Sequence, residues 1–335
     1  MTLPDRYRTL RLRRFAEDFR DAVEIAEVPL EPPAPGQLLV RNRHAGVNGL
    51  FDRSLSRGMV AYRHLVPPFD LGVEAVGEVA AVGGGVTGFA VGDAVSVVRL
   101  GGAYREYQLV EAASAIPLPA VDPAYVALIP TGISAVVVLR EVAQPRAGES
   151  VVVSAAAGGL GQFLVQLLKR AGCRVAGTCG GPEKAELLRG LGCDRVIDHR
   201  AEDVAAALKD FAPGGINLAI DTVGGAIFDT FLEAVAPRGR LVVSGAAHDL
   251  GLAEPELRPR VNTAIYWKAA SIRAFQNALY PEAQASARAE VLSLHAAGGL
   301  KVHLDGSGFT GVESIPDAVE HLLSGRSSGK VHVSF

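Results

Sequence analysis

From residue 151 onward, short runs of β-branched and apolar residues recur at a nearly fixed interval: VVVSAA at 151, RVAGT at 174, RVIDH at 195, NLAIDTVGG at 217 and RLVVSGAA at 240. Their starts lie 23, 21, 22 and 23 residues apart. That is too far for hairpins and right for strand, crossover helix, strand, so the pattern predicts a parallel sheet. Between the runs the period becomes helical. Leu160, Phe163, Leu164, Leu167 and Leu168 share one face, Gln162, Gln166, Lys169 and Arg170 the other, and Gly172 ends the segment. Residues 122–270 are therefore expected to form an open, doubly wound parallel α/β sheet of the Rossmann type, with helices on both faces.

The first 121 residues follow another rhythm. Alternating runs such as YRTLRLRRF, QLLVRNRHAGV, GEVAAVG and DAVSVV are separated by clusters of Pro and Gly, notably EPPAPG and GGGVTG, which reads as a mostly β module. The tail from 271 is mixed, ends in GKVHVSF, and is too short to fold alone; it is expected to rejoin the β module or close the sheet. The plan is one domain made of residues 1–121 plus 271–335, with a nucleotide domain, residues 122–270, inserted in it and a ligand cleft between the two.

Composition narrows the function classes. A chain of 335 residues that is 49% hydrophobic and 21% charged can bury an ordinary core. A net charge of -3 offers no field for a nucleic acid, and RLRR at 11–14 alternates with apolar residues as a solvated strand face would. The N-terminus lacks the basic-then-apolar pattern of a signal peptide, and the longest apolar run, Ala124 to Leu139, is broken by Pro130, Thr131 and Gly132. A soluble, cytoplasmic protein is expected, with neither membrane nor nucleic-acid partners. Cys173, Cys179 and Cys193 show no CxxC or zinc spacing, and the eight histidines are scattered, so reduced thiols and no metal site are expected.

The loop SAAAGGLGQF, residues 154–163, carries the chemistry. Ala156, Gly158 and Gly161 occupy the three positions of the dinucleotide fingerprint GxGxxG, between a strand and an amphipathic helix whose N-terminal N–H groups can bind phosphate. Alanine at the first position is tolerable where φ stays negative. NAD-specific folds end the second strand in an acid that bonds the ribose 2′-hydroxyl; here the strand ends at Thr178-Cys179-Gly180, and Lys184 follows in the next helix. A missing acid and a nearby cation favour NADPH. A rival reading takes GTCGG, 177–181, as a cysteine nucleophile elbow. No tyrosine is followed four residues later by lysine, which excludes a short-chain dehydrogenase.

The whole stretch from Val151 to Arg200, with GVNGLFD, GVEAVGEV, VGDAV, IDTVGG, GRLVVSG and the terminal SSGKVHV, resembles the zinc-independent medium-chain dehydrogenase/reductase superfamily. Within it the sequence looks most like NADPH quinone oxidoreductases and enone reductases of the prostaglandin-reductase type. The resemblance implies a Rossmann sheet inserted in a GroES-like catalytic domain. Zinc members carry a cysteine where this chain has Asn48, a histidine where it has Val73, and a four-cysteine lobe that it lacks, so both zinc sites are expected to be missing. Hydride addition to a conjugated system suits such a site better than alcohol oxidation.

Position by position, the resemblance implies pyrophosphate contacts from Gly158, Gly159, Leu160 and Gly161. It implies 2′-phosphate contacts from Lys184 and Gly180, and further cofactor contacts at Thr222, Ser244, Gly245, Phe275 to Asn277, and Ser327. Asn48 matches an asparagine beside the nicotinamide. His199 stands where relatives have a tyrosine, and its charge would make cofactor affinity respond to pH. Phe51 stands where many relatives have an acid, with Asp52 following. Tyr62 is the nearest candidate for a proton donor.

The expected activity is NADPH-dependent reduction of the activated double bond of an α,β-unsaturated carbonyl compound, or of a quinone, by a homodimer without metal. Parts of residues 48–69 with Tyr266, Trp267 and Phe275 would line the pocket. The alternative is a cofactor-binding regulatory or structural protein with little turnover.

Overall fold

The alternating N-terminal runs become strands β1 (Arg6–Leu12), β2 (Val23–Pro29), β3 (Gln37–Gly46), β4 (Phe69–Asp70), β5 (Glu74–Val82), β6 (Ala94–Val98), β7 (Tyr107–Glu111) and β8 (Ile116–Pro117), with short helices α1 (Phe19–Ala22) and α2 (Gly49–Ser56). An apolar helix, α3 (Tyr125–Ala143), follows. Strand and helix then alternate through β9 (Ser150–Val153), α4 (Gly161–Arg170), β10 (Arg174–Cys179), α5 (Pro182–Gly190), β11 (Arg195–Asp198), α6 (Val204–Phe211), β12 (Ile216–Asp221), α7 (Gly225–Ala234), β13 (Val235–Val243), α8 (Asn262–Lys268) and β14 (Ser271–Ala274). The chain closes with α9 (Pro281–Ala296), β15 (Phe309–Thr310), α10 (Ile315–Leu323) and β16 (His332–Ser334). This computed structural model describes residues 3–60, 65–249, 252, 256 and 260–335.

Contacts divide the chain into two units, Met1–Pro130 with Leu304–Phe335, and Thr131–His303. In the second, six parallel strands lie in the order β11-β10-β9-β12-β13-β14. The direction of winding reverses between β9 and β12, which opens a crevice at the carboxyl ends of those strands. Val151, Val152, Val153, Leu218, Ala219 and Ile220 are fully buried, because helices cover both faces; the runs are therefore apolar throughout rather than alternating.

The limits of the units differ from the sequence-based plan of 121/122 and 270/271. β14 pairs in register with β13, Leu241 opposite Ile272, and α9 packs on the Ile133–Val137 part of α3. Residues up to 303 are thus held by the parallel sheet. Gln162 and Gln166, expected on a polar helix face, are buried instead: each exchanges two hydrogen bonds with the 301–303 backbone, at 2.7–3.1 Å.

In the other unit, β2-β1-β4 form a small sheet, and β15-β16-β3-β5-β6-β8 a larger one in which β3 also pairs with β7. The tail joins here through β16, with Val333 opposite Ala45. Among the described residues α3 is the one helix long and apolar enough to cross a membrane, and most of it is buried inside the protein. Pro130 does not break it. Wide π-type turns at Leu128–Gly132 and Val138–Ala143 carry the helix through and absorb the N–H that proline lacks.

Candidate functional site

The loop after β9 is shaped by close approach. A Cβ on Gly161 would lie 2.5 Å from the Ala155 carbonyl oxygen and 2.6 Å from Ala156 Cα, so only glycine lets α4 start against the strand. Near Gly158 a Cβ would meet only the Ala155 oxygen, at 3.1 Å; its outer side is open to a ligand. The left-handed residue is Ala155 (φ 45°), and Ala156 is not among the positive-φ positions. Ala156 fits for a second reason. A Cβ on Gly177, in neighbouring β10, would lie 2.8 Å from the Ala156 methyl. The methyl missing from β10 makes room for the one added to the fingerprint.

Asp221 ties this loop to the far side of the crevice. Its buried Oδ1 accepts from Ser154 Oγ at 2.7 Å and Val223 N at 2.9 Å, and Oδ2 accepts from Gly224 N at 2.9 Å. Ser154 Oγ in turn accepts from Thr222 N at 2.8 Å. Ser244 N donates to the Asp221 carbonyl, and a Cβ on Gly245 would lie 2.8 Å from the Thr222 oxygen. Phe275 N donates to Val243 O at 2.8 Å and its ring stacks on Tyr280, while Asn277 Oδ1 accepts from Gln284. Gly158 to Gly161, Gly180, Lys184, His199, Thr222, Ser244, Gly245, Phe275 and Asn277 thus follow the carboxyl ends of the six-stranded sheet. Tyr266 and Trp267 on α8 are 75% and 77% exposed.

At the end of β10 the structure adds a residue that the sequence reading missed. A Cβ on Gly180 would lie 2.9 Å from Arg200 Nε and 3.0 Å from His199 Cε1. Both side chains therefore lie over this glycine, and Lys184 stands in the first turn of α5. The available signal was adjacency, DHR at 198–200. Asp198, paired with Cys179 at the strand ends, accepts from Arg200 N at 3.0 Å and Gly181 N at 3.1 Å. Those N–H groups hold its carboxyl below the usual range. Burial, with Asp198 adding to it, pushes the Cys179 thiol up to about 11. A thiol that stays protonated is a poor nucleophile, which removes the GTCGG reading.

Asn48 sits in a second cluster, in the β-rich unit. Its Nδ2 donates to both Glu74 oxygens, at 2.7 and 2.8 Å. Its Oδ1 accepts from Lys330 Nζ at 2.9 Å, and the same ammonium donates to Glu74 Oε1 at 2.6 Å and Val47 O at 3.1 Å. Glu74 and Lys330 are buried. A Cβ on Gly46 would lie 2.5 Å from Glu74 Oε1, so the glycine of GVN makes room for the carboxylate. Phe51 packs into the apolar core, and Asp52 points inward instead, its Oδ2 accepting from Tyr104 OH at 2.6 Å and Asn48 N at 3.2 Å. Ser327 is buried in the turn that Ser328 N pins to Asp305 at 2.9 Å. Tyr62 lies outside the described residues.

Residues 34–120 match the alcohol dehydrogenase GroES-like domain and residues 159–275 the zinc-binding dehydrogenase family. The chain is 38% identical to mouse (Mus musculus) prostaglandin reductase-3 over 99% of its own length and 90% of that protein's. The chain belongs to the medium-chain dehydrogenase/reductase superfamily. It is also 35% identical to a probable quinone oxidoreductase of Leishmania amazonensis, over 99% of both chains. A crystal structure of Escherichia coli quinone oxidoreductase in complex with NADPH matches 98% of this chain and 100% of its own, with a TM-score of 0.85 and 25% identity. The superfamily fold is thus a GroES-like unit with a Rossmann sheet inserted. The zinc that names one family model does not fit here: Val73 has no ligating atom, and the Asn48 amide is engaged at both ends.

Gly177→Ala is expected to cost about 1–3 kcal/mol by overpacking Ala156 first, and Cys193 Sγ and Leu188 behind it. Adding Ala156→Gly should return about 1 kcal/mol or more in a double-mutant cycle read by urea unfolding; strictly additive effects would refute the account. A second expectation concerns pH. Burial, reinforced by Glu74, pushes Asp52 up to about 7 from 3.8, against the lowering effects of Tyr104, the Asn48 N–H and Lys330. Between about pH 4 and 7 the folded chain holds a proton that the unfolded chain has released, so stability falls as pH rises through that window. Relative to the parent, Asp52→Asn should gain about 1–3 kcal/mol between pH 5 and pH 8. Urea midpoints at the two pH values measure it, and a difference independent of pH would disprove it.

Proposed function

We propose that the chain is an NADPH-dependent reductase that transfers hydride, without metal, to the activated double bond of an α,β-unsaturated carbonyl compound or to a quinone. One observation carries the reading. His199 and Arg200 lie over Gly180, and Lys184 stands in the first turn of the helix that follows, where an NAD-specific fold has an acid, in a chain 38% identical to a prostaglandin reductase over nearly its whole length. Three side chains able to carry positive charge fit a 2′-phosphate, and the one carboxylate beside them, Asp198, is turned to the N–H groups of Gly181 and Arg200.

NADPH, when bound, supplies the hydride. Gly158, Gly159, Leu160 and Gly161 hold the pyrophosphate at the N-terminus of α4, where no side chain caps the helix. Lys184, His199 and Arg200 would hold the 2′-phosphate beside Gly180. Thr222, Ser244, Gly245, Phe275 and Asn277 orient the rest of the cofactor, with Ser327 as a further contact. The Asn48 amide, fixed by Glu74 and Lys330, sets the place of the nicotinamide and substrate carbonyl. The proton comes from Tyr62 or from water. The protein works as a cytoplasmic homodimer.

NADPH oxidation against a panel of quinones and enones is the test. Tight NADPH binding with no turnover across the panel would favour a cofactor-binding regulatory protein instead. NADPH should bind at least tenfold more tightly than NADH. Lys184→Ala and Arg200→Ala should each weaken NADPH about tenfold or more, the loss of a charge-assisted hydrogen bond, while leaving NADH within about twofold. Dissociation constants from fluorescence titration measure both; equal losses for the two cofactors would refute the assignment of the 2′-phosphate.

A further inference from the structure

Asp52 is a buried carboxyl without a counter-ion of its own. Lys330 and Glu74 neutralise each other, and the three protons of Nζ are all donated, to Glu74, Asn48 and Val47. Asp52 has only neutral donors, Tyr104 OH and Asn48 N, both on Oδ2. Its Oδ1 is buried and, among the described residues, has no hydrogen-bond partner. The titratable groups acting on it are Tyr104, Glu74 and Lys330. Charged groups on the other helices that pack against α2 are engaged elsewhere: Arg20 of α1 pairs with Asp317 and Glu320 of α10 at the surface, and His321 with the buried Asp305. Arg53 of α2 and Arg57 just after it face Glu17.

With Asp52 neutral, the cluster carries no net charge. With Asp52 ionised, two carboxylates share one ammonium, and the attraction of Lys330 toward Asp52 competes with its bond to Asn48 Oδ1. Asn48 is held at four atoms, its carbonyl accepting from Asp52 N at 3.0 Å, and the bonds at its backbone N and at Oδ1 involve groups that ionisation would perturb.

We propose that Asp52 is a positioning residue for Asn48, and that its neutral form keeps the Asn48 amide in its working orientation. Ionised Asp52 draws Lys330 away from the amide and loosens it. The kinetic consequence rests on the reductase reading above, whereas the structural consequence does not.

The test has two arms on the full-length protein. In the first, the side-chain amide signal of Asn48, assigned by its loss in Asn48→Ser, is followed by NMR from pH 5.5 to 8.5. It should move with a midpoint near 7, be static in Asp52→Asn, and move at higher pH in Tyr104→Phe, because the tyrosine bond favours the charged carboxylate. In the second arm, kcat/KM for a quinone that turns over should fall about tenfold from pH 7.5 to 8.5 in the parent and less than about twofold in Asp52→Asn. A purely structural role would change kcat/KM of Asp52→Asn by the same factor at every pH. An Asn48 signal indifferent to pH, or an alkaline limb that persists in Asp52→Asn, overturns the proposal. If no quinone or enone is reduced, the reductase reading fails while the NMR arm still decides this one.

Discussion

The open crevice of the parallel sheet depends on one carboxylate. Where the winding reverses, β9 and β12 send their helices to opposite faces, and Asp221, with the Thr222 N–H bond to Ser154 Oγ beside it, ties the loops at the two strand ends together. It gathers Ser154 from one side and the N–H groups of Val223 and Gly224 from the other, while its carbonyl takes Ser244. A buried carboxylate with three donors is well satisfied, and each donor would otherwise be an unpaired polar group inside the protein. The glycine loop after β9, the Thr222 turn and the Ser244–Gly245 turn are held by this bridge. Shape at the phosphate-binding edge follows from a polar interaction beneath it.

The β-rich unit meets the same requirement less completely. Lys330 and Glu74 form an ion pair whose remaining valences are filled by Asn48 and Val47, the condition under which a buried pair is tolerated. Asp52, one turn along α2 from Asn48, has no such cation. Its burial therefore shows up as a raised affinity for protons rather than as a second salt bridge. Tyr104 is pushed well above its ordinary range by burial and by Asp52, so the hydroxyl remains the donor and the carboxyl the titrating group. The two carboxylates near Asn48 play different parts because one has an ammonium and the other a phenol.

How much of this could be read from the sequence depends on the distance over which each signal acts. The parallel strands were legible because burial on both faces writes continuous apolar runs at crossover spacing. The glycine loop was legible because its constraints are local. Gln162 and Gln166 look polar on a helix wheel and are buried, since their amides serve backbone 135 and more residues away. The boundary near 303 was hidden for a like reason: β14 joins the sheet through register with β13, which no composition shift marks. Arg200 was overlooked although it follows His199 directly, because its reach over Gly180 depends on how the β11 turn is folded by Asp198.

The departures from the superfamily pattern share a physical form: each has a compensating neighbour in space. Ala156 in place of a glycine is matched by Gly177 in the adjacent strand, so the pair conserves volume rather than identity. His199 in place of a tyrosine lies beside Arg200, so positive charge at the strand end does not rest on the imidazole alone. Phe51 in place of an acid fills apolar core, and the acid appears one residue later, where the helix turns it toward Tyr104 and the Asn48 N–H. A motif read one position at a time records three defects. Counted as volume, charge and hydrogen bonds, the same positions keep the phosphate-binding edge and the Asn48 clamp intact.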